Sequence, residues 1–150
     1  MPLWQVYHPE GTFATEASKQ AFAQDITNIY TTKLNLPAFY VVVNFIPFLP
    51  SNMYVGGKPK ADKPFIRIVI EHIAVHTNNS ESAQRMMTSF IDAALKPHVY
   101  DKGYDCEYHA DETPRGFWKI NGLVPPPHKS DGEKIWFREN AAVPLEDGKL

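Results

Sequence analysis

The sequence predicts an α/β fold. Two fused β-α-β units form a four-stranded sheet with two helices on one face, and a C-terminal extension follows. Two observations carry this reading. A strand–helix–strand pattern occurs twice, over residues 2–46 and 64–110, with almost no residue identity between the copies, so the repeat is one of architecture. Both helical patterns end at a proline, Leu36-Pro37 and Lys96-Pro97, where the chain must leave the helix.

In the first unit, residues 3–8 alternate as a strand, and Gly11 to Ala14 make a turn. Thr15 is placed to cap a helix. Its apolar positions, Ala17, Ala21, Phe22, Ile26, Ile29 and Tyr30, follow the 3.6-residue period. Residues 39–46, rich in aromatic and β-branched side chains, read as the second strand, and residues 56–63 as a loop. In the second unit, Phe65 to Ile73 is a strand, and Asn78-Asn79-Ser80 offers caps. Ala83, Met86, Met87, Phe90, Ile91, Ala94 and Leu95 mark an amphipathic helix, and Tyr104 to His109 is a strand. In the extension, residues 111–150, the three prolines 125–127 are a rigid connector and Ser130 to Asn140 a short helix.

The strands at 39–46 and 65–70 are apolar at nearly every position, so both faces of the sheet need cover. Two helices cover one face. A symmetric oligomer is the simplest cover for the other.

A chain of 150 residues forms one domain with a real core. Its net charge of −2, with both signs interspersed, gives no footprint for nucleic acid or an anionic membrane. A single cysteine, Cys106, excludes an internal disulfide framework and agrees with a reducing compartment. Its mid-strand position reads as buried filler. Residues 1–10 lack the basic start and apolar run of a signal peptide, and no apolar stretch is long enough to span a bilayer. The expectation is a soluble, cytoplasmic protein.

Pro2, directly behind Met1, opens the first strand. With Met1 attached its nitrogen is a tertiary amide. With Met1 removed it is a secondary amine, both base and nucleophile. Burial disfavours the protonated form of an amine, and lowering its pKa by two takes about 2.7 kcal/mol. The plainer reading is a proline tolerated at a strand start.

A second-position proline, the doubled unit and the chain length together resemble the tautomerase superfamily, in particular its cis-3-chloroacrylic acid dehalogenase-like branch. The resemblance rests on Ile26-Thr27, Val43-Asn44-Phe45, Gly56-Gly57, Glu112-x-Pro114 and Gly122-Leu123. Stretches shared with uncharacterised fungal members run through Val55 to Pro59, Asp111 to Arg115 and Lys119 to Pro125, and residues 2–127 are covered. It implies the MIF-like fold, a homotrimer, no metal or organic cofactor, and a small carboxylate or carbonyl substrate. The amino-terminal proline would be the acid/base, here Pro2.

The chain departs from the branch elsewhere. The dehalogenase histidine falls at Tyr30, the carboxylate-binding arginines near His72 and Val75, a tyrosine at His109, and the water-activating glutamate at Ile120, beside Asn121. Hydrolytic dehalogenation needs a base for water, and Ile120 supplies none. Tautomerisation asks only for a neutral amine and donors that stabilise an enolate, and the same amine would also suit a hydratase acting on an activated alkyne or alkene. The candidate set is therefore Pro2 for catalysis, with Tyr30, His72, His109, Arg67, Arg115 and Asn121 for substrate binding.

Each has a plainer reading. Tyr30 is equally a core aromatic on a helix face. Arg67, in an apolar strand, is either an ion pair across a subunit interface or a substrate contact. Asn121 before Gly122 is a turn residue. His72 and His76 share a spacing that suits a metal pair, but no third ligand accompanies them. His8, His98 and His128 read as surface or turn residues, and Trp118 as a tail aromatic packed on the core. A catalytically degenerate trimeric scaffold or small-molecule-binding protein is the alternative to an enzyme.

Overall fold

The structure is a computed structural model that describes residues 1–60 and 62–145. The elements run β1 (Leu3–Pro9), α1 (Glu16–Asn28), β2 (Val42–Phe48), β3 (Tyr54–Val55), β4 (Lys58–Pro59), β5 (Phe65–His72), α2 (Glu81–Leu95), β6 (Asp105–Glu112) and α3 (Asp131–Glu139). The main sheet has the order β2-β1-β5-β6. Each unit contributes a parallel pair, and the two units meet antiparallel at β1 and β5. The two βαβ units are thus joined at the sheet centre, with α1 and α2 in contact with each other.

Local chemistry explains the boundaries. Thr15 caps α1 by a reciprocal bond with Ser18, and Ser80 caps α2. Beyond Asn28 the first helix widens into a single π turn, Ile29–Lys33, which keeps Ile29 and Tyr30 buried. Ala17 and Ala21, expected on the inner face, are exposed, because Phe22 and Ile26 fill the space against the sheet.

The second strand begins later than residue 39. Pro37 starts a 3-10 turn over Ala38–Tyr40, and the ladder resumes at Val42, whose N–H donates to the Pro2 carbonyl at 3.0 Å. The expected loop at 56–63 contains a short hairpin. Gly56 and Gly57, at φ 59° and 78°, supply the two left-handed positions of its tight turn.

In β5, Ile66, Ile68, Ile70 and His72 are buried, while Phe65, Arg67, Val69 and Glu71 are half-buried. One face packs on the helices. The opposite face leaves Leu3, Tyr7, Val42, Ile46, Phe65 and Val69 partly uncovered within a single chain. The core proper joins Trp4, Phe22, Ile26, Tyr30, Ile68 and Leu95, and continues to Tyr40, Trp118 and Trp136 at the extension. Among the described residues, no helix is long and apolar enough to cross a membrane.

Candidate active site

The first strand delivers Pro2 to the sheet centre, where it is buried. Leu3 pairs with Glu71, so Pro2 lies beside the end of β5, where His72 points to the helical face. Tyr30 comes from the π turn. Its hydroxyl accepts from Trp4 Nε1 at 2.8 Å and meets His72 Nε2 at 2.8 Å. With Tyr30 donating to His72 Nε2, the His72 proton sits on Nδ1. Burial holds His72 down to about 4 and lifts Tyr30 well above the usual phenol range, so both rings are neutral near pH 7.

Pro2, Tyr30, Leu36, His72, Ala74 and Met87 line a cavity of about 10 Å³, close to the room one water needs. His72 and Met87 also wall a larger groove of about 550 Å³ between α2 and β6, so the two spaces share these side chains. That groove carries Asp111 and Glu112, not arginines.

On the other side of the chain start lies the extension. Arg115 donates from Nη1 to the Ala74 carbonyl at 2.7 Å, stacks over Trp118 at 5.2 Å, and reaches the Pro126 carbonyl. Burial, and after it the positive charge of Arg115, hold the amine of Met1 down to about 4, with Glu133 opposing the shift. Met1 itself is half-buried and packs against the core.

The remaining candidates lie outside the Pro2 cavity, although His109 lines the larger groove that His72 also walls. Arg67 and His109 contact each other on the sheet face opposite His72, with Glu107 3.7 Å from Arg67 Nε and Asp111 3.4 Å from His109 Nε2. Strand alternation separates them from Pro2. Asn121, at φ 51°, turns the exposed link between Ile120 and Leu123.

His8 is not a surface residue: it is 2% exposed on β1, bonded to Thr12 Oγ1 at 3.1 Å. His98 is half-buried against Asp25, and His128 bonds Glu133. His76 leaves the end of β5 and donates to the Thr113 carbonyl at 2.8 Å. Among the described residues, no three His, Cys, Asp or Glu side chains are placed to hold a metal ion. Burial pushes the Cys106 thiol up to about 11, which leaves it unreactive.

Sequence reasoning missed Trp4, Tyr40 and Glu133. Trp4 and Tyr40 stand inside strand-like runs, where nothing in the sequence singles them out. Glu133 follows a Ser130 cap at the third helical position, where acidic residues are routine, so only its burial singles it out.

The doubled βαβ sheet with a buried chain start defines a tautomerase-type protein. The chain belongs to the tautomerase superfamily: the family described as "Putative oxalocrotonate tautomerase enzyme" matches residues 1–141. It is similar to native RhCC from Rhodococcus jostii RHA1, at 40% identity and TM-score 0.90, over 95% of this chain and 99% of that one. A probable enzyme from the thermophilic fungus Aspergillus fumigatus is 40% identical at TM-score 0.84, over 97% of this chain and 98% of that one. A fused 4-OT wild-type symmetric trimer shares the fold at 17% identity and TM-score 0.62, over 81% of this chain and 94% of that one. No curated protein matches the chain.

Proposed function

We propose that the protein is a cofactor-independent tautomerase or isomerase in which Pro2, freed by loss of Met1, transfers protons on a small oxo acid, enol or unsaturated carboxylate. The neutral amine takes a proton from the carbon α to a carbonyl. The product is an enolate and an ammonium, and the ammonium returns the proton to a different atom. His72 offers Nδ1–H to the enolate oxygen, and Arg115 supplies fixed positive charge near the chain start.

The observation that supports this reading is the burial of Pro2 in one cavity with His72, on a chain start where burial already depresses the amine of Met1; the same burial would favour the unprotonated form of a Pro2 amine. His72 is neutral, so it is a hydrogen-bond donor here and not the carboxylate-binding cation. Ile120, bridged to Leu123, provides no base for water, which argues against hydrolytic dehalogenation. Arg67 and His109 then serve the subunit interface of a homotrimer, the assembly of the fused 4-OT relative.

The scaffold reading draws on one observation. With Met1 in place, the cavity beside Pro2 admits about one water.

The test is mass spectrometry of untagged protein before and after methyl propiolate, with the modified residue mapped, beside ultraviolet monitoring of the ketonisation of enolic oxalocrotonate. A Met-free chain, labelled at Pro2 and catalytically active, is expected, with both properties lost in Pro2→Ala labelling and assay. Retained Met1, or a free Pro2 that neither labels nor turns over substrate, favours the scaffold.

A further inference from the structure

Trp4 reaches the amino-terminal site without lining its cavity. On β1 it stands two residues from Pro2 on the same face, and both are buried. It pairs with Val43 and Ile70 in the sheet, and its ring stands edge-on to Phe22 at 6.5 Å. Its indole N–H donates to the Tyr30 hydroxyl at 2.8 Å. That hydroxyl meets His72 Nε2 at 2.8 Å, with the two rings at 84° to each other. His72 lines the same cavity as Pro2 and also the open groove between α2 and β6. The chain of bonds thus leaves the strand that carries Pro2, crosses the π turn and returns beside Pro2.

The order of protons along this chain decides what His72 can do. Trp4 Nε1 only donates, so the phenol oxygen receives one hydrogen. Two arrangements then differ. In one, Tyr30 passes its own hydrogen to His72 Nε2, and the imidazole hydrogen sits on Nδ1. In the other, Nε2 keeps the hydrogen, the phenol oxygen accepts twice, and the Tyr30 hydrogen needs another acceptor. The cavity wall beside Tyr30 offers the side chains of Leu34, Leu36, Ile73 and Val75, which accept none. A buried hydroxyl hydrogen without an acceptor is costly. A donor feeding the phenol oxygen also strengthens the bond that the phenol makes onward. Both effects favour the first arrangement.

The two tautomers differ in chemistry. With hydrogen on Nδ1, the outer edge of the ring is a donor for an enolate oxygen. With hydrogen on Nε2, the same edge is an acceptor and a second base beside Pro2. Among the described residues, the Tyr30 bond at Nε2 is the one hydrogen bond to the ring, so Nδ1 is left for a ligand.

We propose that Trp4 is a positioning residue of the amino-terminal site: acting through Tyr30, it holds His72 as the Nδ1–H tautomer and fixes the ring as a hydrogen-bond donor to substrate. The inference rests on the reading that Pro2 and His72 form the reactive site. It gives the first strand two roles there, the amine at its start and the proton order of the facing histidine.

The experiment is nitrogen-15 magnetic resonance of the His72 ring in the full chain at neutral pH. Wild type, Trp4→Phe and Tyr30→Phe are compared, with urea unfolding of each. Long-range proton–nitrogen correlations distinguish a protonated ring nitrogen from a bare one. Wild type should show hydrogen on Nδ1 and a bare Nε2. Trp4→Phe should shift the tautomer ratio about fivefold toward Nε2–H, the worth of one hydrogen bond. Tyr30→Phe removes the partner of Nε2 and should return the ring to the mixture of an unpartnered imidazole. A packing role alone would cost Trp4→Phe stability and leave the ratio unmoved, and an unmoved ratio overturns the proposal. Nε2–H in wild type overturns it outright. If Trp4→Phe does not fold, the Trp4 indole N–H resonance of wild type must inflect at the His72 midpoint, because a proton on Nε2 reverses the Tyr30 hydroxyl. A flat resonance is equally fatal. A ratio that shifts as expected, beside a Pro2 that neither labels nor catalyses, keeps the tautomer lock and sinks the enzyme reading. A reactive Pro2 beside an unmoved ratio does the reverse.

Discussion

The Tyr30 hydroxyl lies 2.8 Å from Nε2 of His72, joining the end of the first helix to the end of β5 across 42 residues of sequence. With Trp4 Nε1 on its other side, the hydroxyl is the middle link of a buried chain. With its proton on His72 Nε2, Tyr30 has its donor engaged. A substrate oxygen would take its hydrogen bond from His72 more readily than from Tyr30.

Tyr30→Phe removes that link and strands two buried groups, Trp4 Nε1 and His72 Nε2. The expected loss is about 2 kcal/mol of stability, from the cost of leaving buried polar atoms unpaired. Urea denaturation at neutral pH measures it. A loss near zero would mean that water or a ring rotation replaces the hydroxyl.

His72 makes stability depend on pH. Unfolded, it binds a proton below its ordinary value of 6.5; folded, only near 4. Between these values the unfolded state holds more protons, so stability rises with pH there. The contribution is full above about pH 6.5 and lost on falling to about pH 4. For this buried ring the span corresponds to about 3 kcal/mol. Burial also depresses His8, which adds a loss of the same sign. Unfolding midpoints across this window should fall with pH, and His72→Gln should flatten the fall. Parallel curves for the two proteins would assign the dependence to other groups.

Arg67→Glu places like charge beside Glu107 on the open sheet face, where Arg67 now meets His109 and Glu107. If that face forms the trimer, the variant should shift from trimer toward monomer by sedimentation velocity, with its circular dichroism spectrum retained. An unchanged trimer would locate the interface elsewhere.

Much of the fold was legible because local patterns and tertiary packing agree. The period of Phe22, Ile26, Ile29 and Tyr30 defined the inner face of the first helix, and Thr15 and Ser80 capped where short hydroxyl side chains should. The errors came where packing overruled pattern. Residues 39–41 read as strand by composition, but a 3-10 turn after Pro37 takes up Ala38–Tyr40, and the ladder starts only at Val42, which bonds the Pro2 carbonyl. His8 is polar by type, and only the cover given by Phe13 and Phe45 buries it.

The site divides in the same way. Sequence alone determined which residue types exist at the chain start: a proline that can become an amine, and tyrosine and histidine in place of other groups. Only the tertiary structure decided their partners. Strand alternation is period two, so His72 faces the helices with Pro2 while Arg67 and His109 face away. Glu133 is remote in sequence and ordinary in composition, and became conspicuous only when the extension folded back and closed its carboxylate off from water. Burial and charge proximity are properties of three-dimensional packing, and a linear sequence carries neither.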